Sequence, residues 1–306
     1  MSIPCFDHLL FDGDVLCHRA GAISEIAWHS VLESDGEVYL QFRHVKRAKA
    51  YIAEHPGTSL IEEPEALPFE TARFALESMI QKALVNVKAA NYTIYLSNRQ
   101  RNVNFRYEVD AEYKANRRKY RKPLHYQALR DYLERKHPCK IADIGEADDA
   151  LGMDQTAYLQ SNKQSCIASI DKDLLMIPGG HYNINDGSLQ LAGDPGELKI
   201  INRPSGKRDL KGCGFKWFAA QLLLGDAVDN IIGIKGMGAI RVYELLNDLS
   251  RLDHMIDKVK EVYAKNGRLA DFDKNQKLLW ILRYPEEARL GCPYIQRYEE
   301  LNEKNS

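Results

Sequence analysis

Seven carboxylates fall in three tight groups along this chain: Glu146, Asp148 and Asp149; Asp171 and Asp173; Asp226 and Asp229. Each group borders an apolar run, and an eighth carboxylate, Asp12, follows Leu9, Leu10 and Phe11 directly. Acids are costly near a core unless positive charge neutralises them. Hard oxygen donors gathered in this way suit magnesium or manganese, which take carboxylates and water rather than thiolates. The chemistry implied is divalent-metal chemistry on phosphate esters.

Glu-Ala-Asp-Asp opens a helix, on which Asp148 and Asp149 point about 100° apart, so at least two of its acids converge on one ion. Taken alone it also reads as an acidic helix start favoured by the dipole. Asp171 and Asp173 follow a β-rich run, where alternation puts both on one side of the chain; an Asx turn is the plainer alternative. Asp226 and Asp229 are three apart, hence neighbours on a helical turn. They are followed by Gly233, Lys235, Gly236 and Gly238, then an apolar helix. Glycines there permit positive φ and expose backbone N–H groups at a helix start, a phosphate cradle. The spacing is not that of a nucleotide-binding loop, so ATP is not implied.

Elements that position these residues alternate through the first two-thirds. Strands are expected at residues 8–11, 92–96, 140–144, 164–170 and 181–184, with helical patterns at 15–32, 69–89, 124–136 and 148–160. This order predicts an α/β fold, a mostly parallel sheet flanked by helices, whose ligands lie beyond the strands' carboxyl ends. Residues 36–42 read as an extra strand and Asn185-Asp186-Gly187 as a hairpin turn. Residues 203–214, rich in glycine and charge, read as a flexible crossing. Helices follow at 215–224, 237–249, 252–264 and 273–282, and residues 299–306 read as a frayed end.

The 306 residues are 44% hydrophobic and 28% charged, which predicts a globular protein with a substantial core. No apolar run approaches the roughly 18 residues of a membrane span, and the first residues do not read as a signal peptide. Cys5, Cys17, Cys139, Cys166, Cys213 and Cys292 show no zinc spacing, which favours free thiols in the cytoplasm. Net charge is only −1, yet Lys114, Arg117, Arg118, Lys119, Arg121 and Lys122 form an acid-free block, while residues 141–154 hold five acids and no base. The first block asks for a polyanion, or is a solvated helix face; the second asks for cations.

Five motifs in order resemble the structure-specific 5′ nucleases, a family that includes flap endonucleases and bacteriophage 5′→3′ exonucleases. They are Phe-Asp-Gly-Asp (11–14), the segment 105–117, Glu-Ala-Asp-Asp (146–149), Ser-Ile-Asp-Lys-Asp-Leu (169–174) and residues 224–238. The first and second are most similar to the phage branch. The resemblance implies a PIN-like catalytic domain over 1–205 with a helical arch near 105–137. It also implies a DNA-binding region over 206–306 containing a helix–three-turn–helix. Asp12, Glu146, Asp148 and Asp171 would hold one Mg2+ or Mn2+. Asp149, Asp173, Asp226 and Asp229 would serve a second or order its water, and a monovalent cation would sit at the glycine hairpin. Lys114 and Arg117 would act at the scissile phosphate. Arg118, Lys119, Arg121 and Lys122 would track a single-stranded 5′ end, while Gly233, Lys235, Gly236 and Gly238 would hold duplex. Tyr113 would stack on a displaced base or pack inside the arch. The implied activity is two-metal hydrolysis of DNA from 5′ ends or at 5′ flaps. Family members commonly place an aspartate after the second strand, where this chain has Ser97 and Asn98. That departure motivates a rival, a non-cleaving DNA-junction binding protein of the same fold.

Overall fold

The structure is a computed structural model that describes residues 6–33 and 36–295; the expected frayed end at 299–306 and Cys5 lie outside them. In chain order the elements begin with β1 (His8–Asp12), α1 (Gly13–Ile23), β2 (Glu25–Leu32), β3 (Val38–Phe42), α2 (Val45–Glu54) and β4 (Ser59–Ala66). Next come α3 (Phe69–Val87), β5 (Asn91–Leu96), α4 (Arg106–Val109), α5 (Tyr126–Lys136), β6 (Cys139–Ile141), α6 (Ala147–Gln160) and β7 (Ser165–Ser169). The hairpins β8 (Gly179–Asn183) with β9 (Leu189–Ala192) and β10 (Leu198–Asn202) with β11 (Arg208–Gly212) follow. The rest is α7 (Gly214–Leu224), β12 (Gly225–Asp226), β13 (Ile231–Ile232), α8 (Ala239–Leu246), α9 (Leu252–Lys265), α10 (Leu269–Leu279) and α11 (Glu287–Leu290).

Two compact units emerge. The first comprises residues 1–14, 82–121 and 137–306, the second 15–81 and 122–136. The expected boundary at 205/206 falls inside the first unit. One core there joins sheet residues such as Leu10 and Ile167 to Phe218, Tyr263 and Trp280 of the C-terminal helices.

The first unit carries a six-stranded sheet in the order β6-β5-β1-β7-β8-β9, parallel except for the last strand. Every residue of β7 is buried, as a strand covered on both faces requires. From β1 the chain proceeds to β5 on one side, and from β7 to β8 on the other. The crevice between β1 and β7 is therefore the topological switch point, where open α/β sheets bind ligands. Asp12 ends β1 and Asp171 lies just beyond β7. The Asn185–Gly187 hairpin is present, with Gly187 at φ 74°.

The second unit contains an antiparallel sheet, β3-β2-β4. Here the structure corrects the helix expected over 15–32. The helix ends at Ile23, and Ser24 closes it by donating through Oγ to the Gly21 carbonyl. Residues 25–32 then pair along their whole length with β4, where Glu63 accepts from Ser30 and Glu65 from the Trp28 indole. Partner strands, absent from any local pattern, override the apparent helical periodicity. The crossing expected at 203–214 is likewise the ordered hairpin β10–β11. Between 105 and 125 the chain forms only the short α4 and a 3-10 turn over Ala115–Lys119.

Candidate metal centre and nucleic-acid interface

The switch point brings the acidic groups together. Ser169 Oγ donates to Asp12 at 2.7 Å and accepts the Asp171 backbone N–H at 3.0 Å, locking the ends of β1 and β7 together. Asp171 in turn accepts the Asp173 N–H at 2.8 Å, the Asx turn expected of this pair. Gly145, at φ 70°, makes the turn into α6; a side chain there would strike the Asp149 carboxylate. Glu146 caps α6 in a reciprocal box with Asp149.

Lys114 Nζ meets both Glu146 oxygens at 2.6 Å and stands 3.8 Å from Asp229. Tyr113 donates its hydroxyl to the same two acids, at 3.0 and 3.2 Å. Arg117 pairs with Asp229 at 2.5 Å, and Lys172 with Asp226 at 3.3 Å. A small cleft is lined by Lys114, Arg117, Glu146, Asp148, Asp171, Asp173 and Asp229. Basic and acidic motifs far apart in sequence therefore line one cleft.

Electrostatics divide the acids. Burial works against the Glu146 charge, but Lys114 and Arg106 outweigh it and hold the pKa down to about 2. Asp148 is pushed well above the usual range, by burial first and then by Asp171, Asp12 and Glu146. Burial raises Asp171 as well, and burial with the neighbouring Asp171 charge lifts Asp173 to about 7. Lys114 stays above its ordinary value because Glu146 and Asp229 outweigh its burial.

Asp149 has a different place from the one expected. It is 0% exposed, and its two oxygens accept from Arg106 at 2.6 and 2.9 Å and from the backbone of Glu146 and Leu282. Those contacts commit it to architecture rather than to an ion. Tyr113, 4% exposed with its ring edge-on to Tyr107, packs inside; it offers no face for base stacking. Ser97 accepts the Ala147 N–H and gives its own N–H to Asp14, while Asn98 holds the Ala142 carbonyl. The position of the missing aspartate thus ties the end of β5 to Asp14 and to the start of α6.

Arg121 and Lys122 are exposed, and the side chains of Arg118 and Lys119 lie outside the described residues. In the glycine hairpin, Lys235, Gly236 and Gly238 are exposed. Gly236 sits at φ 84°; Gly238, at φ −94°, caps α8 with open space around it. Gly233 differs: a Cβ there would meet the backbone of Leu224 at 2.3 Å, so this glycine serves close packing. Arg268 already donates to the Gly233 and Ile232 carbonyls, and Arg241 to that of Gly236, where a monovalent cation was expected. Sequence reasoning missed Arg106, Ser169, Lys172 and Gln221, whose amide donates to Asp173 at 2.5 Å. Arg106, Ser169 and Lys172 all stand inside the motifs quoted from the sequence, whereas Gln221 lies outside them.

Among the described residues no three Asp, Glu, His or Cys side chains already stand together as a metal centre. The donor chemistry nevertheless fits divalent ions. Asp12, Glu146, Asp148, Asp171, Asp173, Asp226 and Asp229 share three cations, Lys114, Arg117 and Lys172. With all seven ionised, four negative charges are left over, which two divalent ions would balance, and every donor is a hard oxygen.

No family model matches the chain. It is 28% identical over 212 residues to a 5′-3′ exonuclease of Buchnera aphidicola, covering 66% of this chain and 71% of that protein. Its fold is that of the bacteriophage T5 5′-exonuclease solved with divalent zinc, with TM-score 0.56 and 16% identity over 95% and 96% of the two chains. A T5 flap endonuclease variant solved as a pseudo-enzyme-product complex with DNA and metal ions covers 96% of both chains, with TM-score 0.54 and 14% identity. Fold and site together define an α/β protein whose sheet presents clustered acids at its switch point. The resemblance to the structure-specific 5′ nucleases is borne out, and the fold is that of the T5 5′-exonuclease.

Proposed function

We propose that this protein is a divalent-metal-dependent 5′→3′ exonuclease and flap endonuclease, cutting DNA phosphodiesters from 5′ ends or at 5′ single-strand/duplex junctions. The observation that carries this reading is the surplus of buried carboxylates beside Lys114 and Arg117 at the β1–β7 switch point. Asp12, Glu146, Asp148 and Asp171 would hold one ion and Asp173, Asp226 and Asp229 the other, with Mg2+ or Mn2+ the matching metals. Such ions supply Lewis acidity and an activated water to in-line displacement at phosphorus.

The chain's own residues do the rest. Lys114 and Arg117, held by Glu146 and Asp229, face the cleft and offset charge that develops on the phosphate oxygens. Asp149 and Arg106 fix the start of α6, so Glu146 and Asp148 keep their aim. Lys235 and the N–H groups around Gly236 and Gly238 hold the phosphates of the duplex arm. Arg118, Lys119, Arg121 and Lys122 would attract the single-stranded 5′ arm. No helix among the described residues is long and apolar enough to cross a membrane.

The rival is the junction-binding protein without cleavage, motivated by Ser97 and Asn98. A binder gains nothing from packing like charges together. A 5′-tailed duplex labelled at its 5′ end separates the two when incubated with magnesium and then with chelator. Magnesium-dependent release of labelled fragments is the expected result; a shifted but intact strand would establish the rival.

A further inference from the structure

Lys172 is the cation beside Asp226. Asp226 Oδ1 accepts the backbone N–H groups of Val228 and Asp229 at 2.8 and 3.3 Å, while Oδ2 faces Lys172 Nζ at 3.3 Å. The same amine stands 3.8 Å from Asp173 Oδ1. It fills the space between two carboxylates from separate motifs, where a hard cation would also bind. Its freedom sets it apart from the other cations of the centre. The Lys172 side chain is 57% exposed, against 13% for Lys114 and 3% for Arg106. Its amine lies 5.6 Å from the centre of the Trp217 ring, and both residues line one cleft, which leaves the flexible four-carbon stem room to swing. An ion pair this exposed is weakly held.

We propose that Lys172 is a built-in competitor of the second divalent ion. Its amine takes that ion's place between Asp173 and Asp226 in the metal-free protein and withdraws toward Trp217 when the ion binds. The proposal rests on the two-ion reading and adds that the two positions fill differently. Lys114, nearly buried and 2.6 Å from Glu146, has no comparable exit. Lys172 instead sets a threshold: the second ion must displace a positive charge, so it binds more weakly than the first. A lysine suits this role where an arginine would not, because a planar guanidinium forks onto carboxylates and holds them.

Manganese binding to the DNA-free protein, followed by loss of the free-ion resonance signal, tests this without cleavage. Wild type should take up a tight ion and a weak one. Lys172→Met should tighten the weak site by about tenfold and leave the tight one unchanged, since it removes a positive charge within 4 Å of both carboxylates. Lys172→Gln should do the same, so either folded variant suffices. Lys172→Arg keeps the charge and should leave the second ion no tighter than in wild type. Lys258→Met, which removes an exposed lysine charge on α9, should change neither site. Wild-type titrations in the folded neutral variants, or equal tightening by Lys172→Arg or Lys258→Met, would overturn the proposal. Two-ion binding that responds to Lys172 in a protein that cuts no DNA would sink the nuclease reading alone. A wild type that binds no manganese would remove the metal reading and the proposal together.

Discussion

Burial opposes charge on Asp171 and Asp148, so each ionises more readily when a divalent cation stands beside it. Asp171→Asn or Asp148→Asn should therefore abolish cleavage while leaving DNA binding equal or tighter, since each change also removes repulsion of phosphate. Gel-based turnover and a binding isotherm check both halves; near-normal turnover in either variant would show that the site is wrongly placed. Lys114→Ala should slow cleavage by about 10²–10³-fold with modest loss of affinity, the effect of removing one donor to developing charge. Lys235→Ala should instead weaken binding with little change in the single-turnover rate. The same residues give a pH dependence. Asp173 titrates near 7 in the metal-free fold against 3.8 ordinarily, so between those values the folded state holds a proton that the unfolded chain lacks. Stability through Asp173 is thus present at low pH and lost as pH rises through about 7. Glu146 has the opposite sign: its contribution is present above its ordinary 4.5 and is lost as pH falls toward about 2. The metal-free melting temperature should decline from about pH 4.5 to 7, and magnesium should remove that decline. A metal-free protein that instead gains stability over this range would contradict the cluster's charge balance.

At the scale of elements, the buried Arg106–Asp149 pair ties α4 to α6 and, through the Leu278 and Trp280 carbonyls, to the end of α10. Asp149→Asn or Arg106→Met leaves a buried charge without its partner, and should cost about 3–5 kcal/mol of stability in denaturant unfolding. A midpoint unchanged in both would remove the architectural role given to Asp149. The glycine hairpin makes a paired test. Gly238→Val, at negative φ and in open space, should keep the fold and lose duplex affinity, whereas Gly236→Val should also destabilise the protein by about 1–2 kcal/mol. Equal duplex binding by a folded Gly238→Val protein would end the phosphate role of that turn. Much of this was legible in sequence: strands at β1, β5 and β7 announce themselves as short apolar runs, and Asp12 and Asp171 mark the ends of β1 and β7. The sheet β2–β4 was not, because residues 25–32 mimic a helical pattern until β4 pairs with them. Nor was the fate of Asp149, since two neighbouring aspartates in one motif look alike until Arg106, distant in sequence, claims one of them.

For the whole molecule, net charge of −1 conceals a separation of charge, with an acidic centre at the switch point and cations placed around it on other segments. On the proposed reading, that arrangement would repel DNA from the chemistry until divalent ions bind, and would recruit its phosphates nearby. The central claim is that the carboxylate cluster makes this protein a metal-dependent nuclease acting from 5′ termini. Its most direct test is a single-turnover time course on a 5′-flap duplex, with wild type and Asp171→Asn side by side, with magnesium and with chelator. Wild type with magnesium should yield 5′-end products near the junction, and the other three reactions should leave bound strands intact. Intact flap in all four reactions, or products of equal rate from Asp171→Asn, would contradict the account.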